Sequence, residues 1–185
     1  GYFPLKVEIH SVVLIGFMGT GKSSIGKLLS AKLGYKFIDS DQQIEYDLKM
    51  SISDIFAKHG ETYFRQAEHR IIKKISQYNK AVISTGGGVV LNKDNMEKKK
   101  KKGMVISLSA SIDTILERTN RRNNRPLLEQ EDRKAAITEL LAKRAEFYAD
   151  ADLVVDTGKY NPQEVVHIIL NKKKEKGAVY AKSKG

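Results

Sequence analysis

The sequence predicts an α/β fold of three layers, α/β/α, built on a five-stranded parallel sheet. Three observations carry that expectation. Short apolar runs alternate with helical stretches throughout the chain, with no internal repeat and no linker between them. The first run, Val12-Val13-Leu14-Ile15, reads as a parallel strand buried on both faces. It leads directly into Gly16-Phe17-Met18-Gly19-Thr20-Gly21-Lys22-Ser23, a complete G-x-x-x-x-G-K-[ST] loop, and then into a helix.

In that loop each fixed position has a physical job. The glycines let the backbone curl so that successive N–H groups point inward at phosphate oxygens. Lys22 brings a mobile charge to the β- and γ-phosphates, and the Ser23 hydroxyl is available to a Mg²⁺ shell. The following helix has Ile25, Leu28, Leu29 and Leu33 at helical spacing, with Gly34 as its stop. Strand, loop and helix in this order aim a helix N-terminus at the phosphates. A nucleoside triphosphate is the expected ligand; the plainer alternative is a glycine-rich turn with a solvated lysine.

The remaining strands are read at Tyr35–Asp39, Ala81–Ser84, Met104–Leu108 and Leu153–Asp156. Helices fall between them at Asp41–Met50, Ser53–His59, Glu61–Tyr78, Asn92–Lys102, Ser111–Arg122 and Asp132–Tyr148. The last helix has clear starting chemistry. Asn161 is its cap, Pro162 occupies the first turn, and Glu164 completes a capping-box arrangement before Val165, Val166, Ile169 and Leu170. One domain over 1–170 is expected, followed by a lysine-rich tail at 171–185.

Composition excludes several classes. At 185 residues and 41% hydrophobic the chain suits one domain with a real core. Without cysteine there is neither a disulfide framework nor a thiolate metal site. No apolar run approaches the ~20 residues that span a bilayer. Gly1-Tyr2-Phe3-Pro4-Leu5-Lys6 lacks the pattern of a secretory signal, and a Gly1 start suggests a processed or engineered end. The expected location is the cytoplasm. The net charge of +11 is peripheral: Glu97–Lys102 has five lysines against one glutamate, net +4, and residues 171–185 have six against one, net +5. Lysine runs without interleaved aromatics read as solvated faces, so nucleic acid is not the expected partner.

Ligands in such folds collect at the carboxyl ends of the strands, which singles out further candidates. Asp39 and Asp41 flank Ser40 where the second strand meets a helix; they read as support for a metal or an attacking hydroxyl, or Ser40 or Asp41 is merely a helix cap. Arg65 and Glu68 share a helix face, an arrangement that is often an inconsequential surface pair. Gly86-Gly87-Gly88 follows a strand and reads either as a close backbone approach or as a flexible turn. Arg118 to Leu128 packs four arginines and three asparagines between helices, which reads as a mobile lid, an RNA-binding cluster or a solvated loop. Arg144, beside Ile137, Leu140 and Leu141, reads as a long charged side chain that snorkels.

Taken in order, G-F-M-G-T-G-K-S-S, F-I-D-S-D, F-R-Q-A-E, S-T-G-G-G, R-T-N-R-R-N-N-R-P-L-L and A-K-R-A-E-F-Y resemble shikimate kinase from Val12 to about Leu170. The resemblance implies a P-loop kinase of the nucleoside-monophosphate-kinase type with a lid at about 119–127 and substrate-binding helices at about 41–78. It implies transfer of the γ-phosphate of ATP to the 3-hydroxyl of shikimate, with Mg²⁺, on the route to chorismate and aromatic amino acids. Carried over by position, Gly19, Thr20, Gly21, Lys22, Ser23 and Ser24 hold the ATP phosphates. Ser23 joins the metal, and Asp39 supports it through water. Asp41 meets the shikimate hydroxyls, Arg65 and Arg144 clamp its carboxylate, Glu68 orients Arg65, and Gly87 and Gly88 meet the substrate through backbone. Arg125 comes from the lid onto the phosphates as the third catalytic group with Lys22 and Asp41, and Arg118 lies against adenine.

The chain departs from the family pattern at Tyr160, where a basic residue is usual; its ring is suited to stacking on the base. Arg121 and Arg122 make the lid unusually basic, and the tail after Leu170 exceeds the family's need. A monomer is expected. The rival readings are a gluconate-type kinase, which has no reason to carry F-R-Q-A-E with A-K-R-A-E-F-Y, and a non-catalytic nucleotide- or RNA-binding relative, which does not require Asp41, Arg65 and Arg144 together.

Overall fold

The computed structural model describes residues 11–88, 103–120 and 127–183. The chain runs β1 (Ser11–Ile15), α1 (Lys22–Leu33), β2 (Lys36–Asp39), α2 (Ser40–Leu48), α3 (Ile52–Ile75), β3 (Ala81–Ser84), β4 (Gly103–Ser109), α4 (Ile112–Asn120), α5 (Leu127–Ala149), β5 (Leu153–Asp156) and α6 (Pro162–Ser183). The helix expected at Asn92–Lys102, the lysines within it, and the lid residues Arg121, Arg122 and Arg125 lie outside the described residues.

The five strands form one parallel sheet in the order β2-β3-β1-β4-β5. Strand β1 is central, and its alternating side chains explain the three layers. Val12 and Leu14 point to a core shared with Ile25 and Leu29 of α1 and with Val165, Val166 and Ile169 of α6. Val13 and Ile15 point the other way, to Ile44 of α2 and to Ile55, Phe64, Ile71, Ile72 and Ile75 of α3. A strand sandwiched like this is apolar along Val12–Ile15, as the short uniform run implied, and the buried Ser11 at its start donates its hydroxyl to Tyr78 O at 2.9 Å. A smaller cluster of Phe17, Ile115 and Ile137 seats α4 and α5 beside the loop after β1.

Three local findings differ from the expectations. The helices expected on either side of Gly60 are assigned as one, but Gly60 has φ 82° and ψ 175°, so α3 is kinked there. The cap of α2 is Asp39 itself, whose side chain accepts from the N–H groups of Asp41 and Gln42, and not Ser40 or Asp41. Helix α6 does not end near Leu170 but continues to Ser183, because residues 171–183 are mostly good helix formers with no proline to interrupt them. Its start is as expected: Glu164 N–H donates to Asn161 Oδ1 at 2.8 Å, and Asn161 N–H donates to Glu164 Oε1 at 3.1 Å.

Candidate active site

The carboxyl ends of the strands open onto a cavity of about 720 Å³. Gly19, Thr20, Gly21, Lys22, Ser23 and Ser24 line one side, Asp39 and Asp41 a second, and Gly86 and Gly87 a third, with Arg118 and Tyr160 beyond the loop. Gly19 and Gly21 have φ of 77° and 92°, the left-handed backbone that lets the loop curl before α1 begins. Thr20 braces the curl from inside, its hydroxyl donating to Phe17 O at 2.7 Å. Ser23 and Ser24 stay exposed at the open N-terminus of α1, where orphan N–H groups favour anions.

Lys22 Nζ is folded back, donating to Gly16 O and, at 3.0 Å, to Phe17 O. Burial lowers its pKa from 10.5 to about 8; Asp41 and Asp39 oppose the shift, and Arg144 adds to it. Asp41 moves in the opposite sense. Burial raises its pKa above 3.8, Asp39 and Glu45 reinforce the rise, and Lys22 and Arg65 work against it. Its Oδ1 is buried with no hydrogen-bond partner among the described residues. Asp39 differs because its Oδ1 is already engaged, at 2.9 Å from Asp41 N and 3.2 Å from Gln42 N.

Arg65, Glu68, Gly88 and Arg144 are not part of that cavity's lining, but the glycine turn joins them to it. A Cβ on Gly86 would stand 2.8 Å from Asp41 Oδ1 and 3.3 Å from Glu68 Oε2. One on Gly87 would meet Arg144 Nη1 at 3.5 Å, and one on Gly88 would collide with the Arg65 guanidinium. Gly86 and Gly88 thus need to be small because each faces a charged side chain too closely for a Cβ, whereas Gly87 meets Arg144 at ordinary contact distance. The turn is itself tethered by a donation from Gly86 N–H to Ser40 Oγ at 3.2 Å.

The two arginines are held differently. Arg65 Nη1 donates to Glu68 at 3.0 and 3.3 Å, and Glu68 is only 2% exposed, so this is not a surface pair. Arg144 is 9% exposed, packs over the Phe17 ring at 5.7 Å, and donates from Nη1 to Tyr148 Oη at 3.5 Å. The Tyr148 hydroxyl in turn donates to Gly87 O at 2.6 Å. Arg65 Nε and Arg144 Nε are buried without a hydrogen-bond partner among the described residues.

Arg118, expected against a base, lines the same cavity and also ties the phosphate loop to the end of β5. It donates to Gly19 O at 3.0 Å, to Thr157 Oγ1 at 3.0 Å and to Thr157 O at 3.1 Å. Tyr160 lines the same cavity with Pro162. Arg125 lies outside the described residues. Residue-by-residue reading missed Ser40, Thr157, Tyr148 and Arg133, the last of which also lines the cavity. An arginine close after the lid was the only visible signal for Arg133; the other three act through contacts distant in sequence.

Among the described residues no three His, Cys, Asp or Glu groups could hold a metal ion, and no helix is long and apolar enough to cross a membrane. The donor set does fit Mg²⁺, which typically takes one or two protein ligands together with phosphates and water. Ser23 and Asp39 line the same cavity as the phosphate loop, and Asp39 retains a second carboxylate oxygen beyond the one capping α2.

Comparison with known proteins places the chain among relatives. The shikimate kinase family model matches residues 18–174. Shikimate kinase of Thermodesulfovibrio yellowstonii is 48% identical over 162 residues, covering 88% of this chain and 94% of that protein. The structure of shikimate kinase from Acinetobacter baumannii in complex with shikimate superimposes with a TM-score of 0.80 at 33% identity, over 87% of this chain and 90% of that one. A gluconokinase from Sinorhizobium meliloti, at 16% identity and a TM-score of 0.58 over 95% and 98% of the two chains, shares the fold alone. The chain belongs to the shikimate kinase family and is an ATP-dependent kinase.

Proposed function

We propose that this chain transfers the γ-phosphate of ATP to the 3-hydroxyl of shikimate, releasing shikimate 3-phosphate and ADP on the route to chorismate. The observation that carries the reading is the glycine turn, which brings Asp41, Glu68 with Arg65, and Arg144 around three consecutive small residues. A small polyhydroxy carboxylate needs acceptors for its hydroxyls and cations for its carboxylate, and these side chains supply both.

Backbone N–H groups from Gly19 to Ser24 hold the β- and γ-phosphates. Lys22 leaves the carbonyls of Gly16 and Phe17 to neutralise charge as the γ-phosphoryl moves. Ser23, with Asp39 behind it, would hold Mg²⁺, which would supply further charge neutralisation at the phosphates. Asp41 accepts the hydrogen bond of the attacking hydroxyl, and its raised pKa suits it to take the proton as the new P–O bond forms and the bond to ADP breaks. Arg65, steadied by Glu68, and Arg144 clamp the carboxylate, while Gly87 and Gly88 let the substrate approach the backbone. Arg125 is assigned the phosphate contact from the lid. Arg118 fixes the rim on which adenine rests, with Tyr160 across from it. The enzyme is read as a cytoplasmic monomer.

The test is a coupled assay of ADP release with shikimate, gluconate or RNA offered separately. Turnover with shikimate alone is expected; turnover with gluconate, or RNA binding without turnover, would overturn the assignment. Arg65→Ala and Arg144→Ala should each raise the shikimate KM by at least ~10²-fold and leave the ATP KM within a few-fold, since each leaves a desolvated carboxylate poorly paired. The reverse pattern would misplace the acceptor.

A further inference from the structure

A second cavity, of about 230 Å³, shares Thr20 with the first and lies between β4 and α5. Its walls include Leu108, Ile115, Leu141, Ala145 and Ala149, and among the described residues no charged one lines it. Small residues line it, Ser107 among them. Period two along β4 puts Ser107 on the same side as Val105, which is packed in the core, so a large apolar side chain would normally fill that place. Ser107 leaves the space open. It is only 1% exposed, and its hydroxyl has no hydrogen-bond partner among the described residues. A buried hydroxyl left unpaired is costly, and a ligand hydroxyl would satisfy it.

Three of the walls also serve the active site. Phe17 carries the Arg144 guanidinium over its ring. Thr20 braces the phosphate loop through Phe17 O. Tyr148 donates to Gly87 O and accepts from Arg144. An occupant would therefore touch side chains that position the acceptor groups without entering the acceptor site.

We infer that this cavity is a ligand site for a small uncharged ring compound bearing one hydroxyl, of the size of phenol, and that its occupancy tightens the acceptor site through Phe17 and Tyr148. Charge is excluded because no counter-ion lines the walls. Size follows from volume, since an apolar cavity of about 150 Å³ is enough for benzene. Direction follows from packing: an occupant fills space beside the Phe17 and Tyr148 rings and so restrains Arg144 and Gly87. By linkage, shikimate then strengthens binding in this cavity by the same factor.

Binding is tested on the full chain by ligand-observed NMR titration with phenol, with toluene as the apolar control. Saturable phenol binding is expected, about fivefold tighter than toluene, the scale of one neutral hydrogen bond. Ser107→Ala should erase that preference, and Ser107→Phe should abolish binding of both. If Ser107→Phe does not fold, Ala145→Phe serves instead, because Ala145 lines the cavity from its exposed edge. Non-saturable signals, or unchanged binding in the filled variant, would overturn the site. Saturating phenol should also lower the shikimate KM by about fivefold, the lower end of usual couplings, while Ser107→Phe shows no response to phenol. An unchanged KM would overturn the coupling. This second half rests on the proposed acceptor reading; binding is read without turnover, so failure of the kinase assignment and failure of the site are distinguishable.

Discussion

Asp41 carries a conflict between stability and chemistry. Its Oδ1 is buried without a donor among the described residues, and burial and Asp39 both hold its pKa above 3.8. The folded chain thus retains a proton where the unfolded chain has lost it, so this group's contribution to stability falls as pH rises from 3.8 through the folded pKa. Asparagine does not ionise. Asp41→Asn is expected to abolish turnover and, at neutral pH, to raise Tm by roughly 2–4 °C, the effect of ~1 kcal/mol on a chain of this size. Thermal denaturation with activity on one preparation checks both; a lower Tm would mean that the Lys22 and Arg65 charges outweigh burial. Lys22 presents the mirror case. With a pKa near 8, it is cationic below that pH and loses its charge above it. kcat/KM for ATP reports groups of the free enzyme, so it should fall about tenfold per pH unit above 8. Lys22→Arg, slower overall, should lack that alkaline limb, because a guanidinium stays charged. A limb that persists in Lys22→Arg would belong to another group.

At the scale of elements, the substrate-side layer depends on how α2 and α3 are joined and broken. Glu45 reaches from α2 to accept from Ile52 N–H at 2.9 Å, and Ser51 caps α3 through Asp54 N–H, so the start of α3 is fixed twice. At Gly60 the helix kinks with φ 82°, and a Cβ there would meet nothing within 4 Å. Strain is therefore the only cost of a side chain at this point. Gly60→Ala should destabilise the chain by about 1 kcal/mol, read as a lower denaturant midpoint with unchanged slope. The break at Gly60 was legible in the sequence because a glycine inside a helical pattern is a local signal. The phosphate loop, the capping box at Asn161 and all five strands were legible for the same reason: their causes lie within a few residues. Tyr148 and Gly87 are 61 positions apart, and Arg118 and Thr157 are 39 apart, so no local pattern announces either pair. The cap at Asp39 was hidden differently, since Asp39, Ser40 and Asp41 all have capping chemistry and only backbone geometry selects among them.

Over the whole molecule, charge and catalysis occupy different places. At the active-site end Asp39, Asp41 and Glu68 are set among Lys22, Arg65, Arg118, Arg133 and Arg144, whereas residues 171–185 alone carry net +5 of the chain's +11. Those residues continue α6 beyond the turns that hold it to the sheet. Val165, Val166 and Ile169 make the core contacts, while Lys172 and Lys173 are half-buried and Lys174 is exposed. Lys173 stands 5.4 Å from the Tyr35 ring centroid, a contact of about 0.5–1 kcal/mol at an exposed site. Truncation after Leu170 should therefore lower stability by no more than ~1 kcal/mol and leave kcat and both KM values within about twofold, since none of the described side chains beyond Leu170 lines the active-site cavity. It should act strongly on long-range electrostatics, reducing the net charge from +11 to +6. The truncated protein should elute from heparin at clearly lower salt, because polyanion affinity follows the number of cations engaged. An unchanged elution point would place the polyanion-facing charge elsewhere on the molecule. A large loss of activity would mean that the final turns of α6 bear on the β5 end of the site, where Thr157 anchors Arg118.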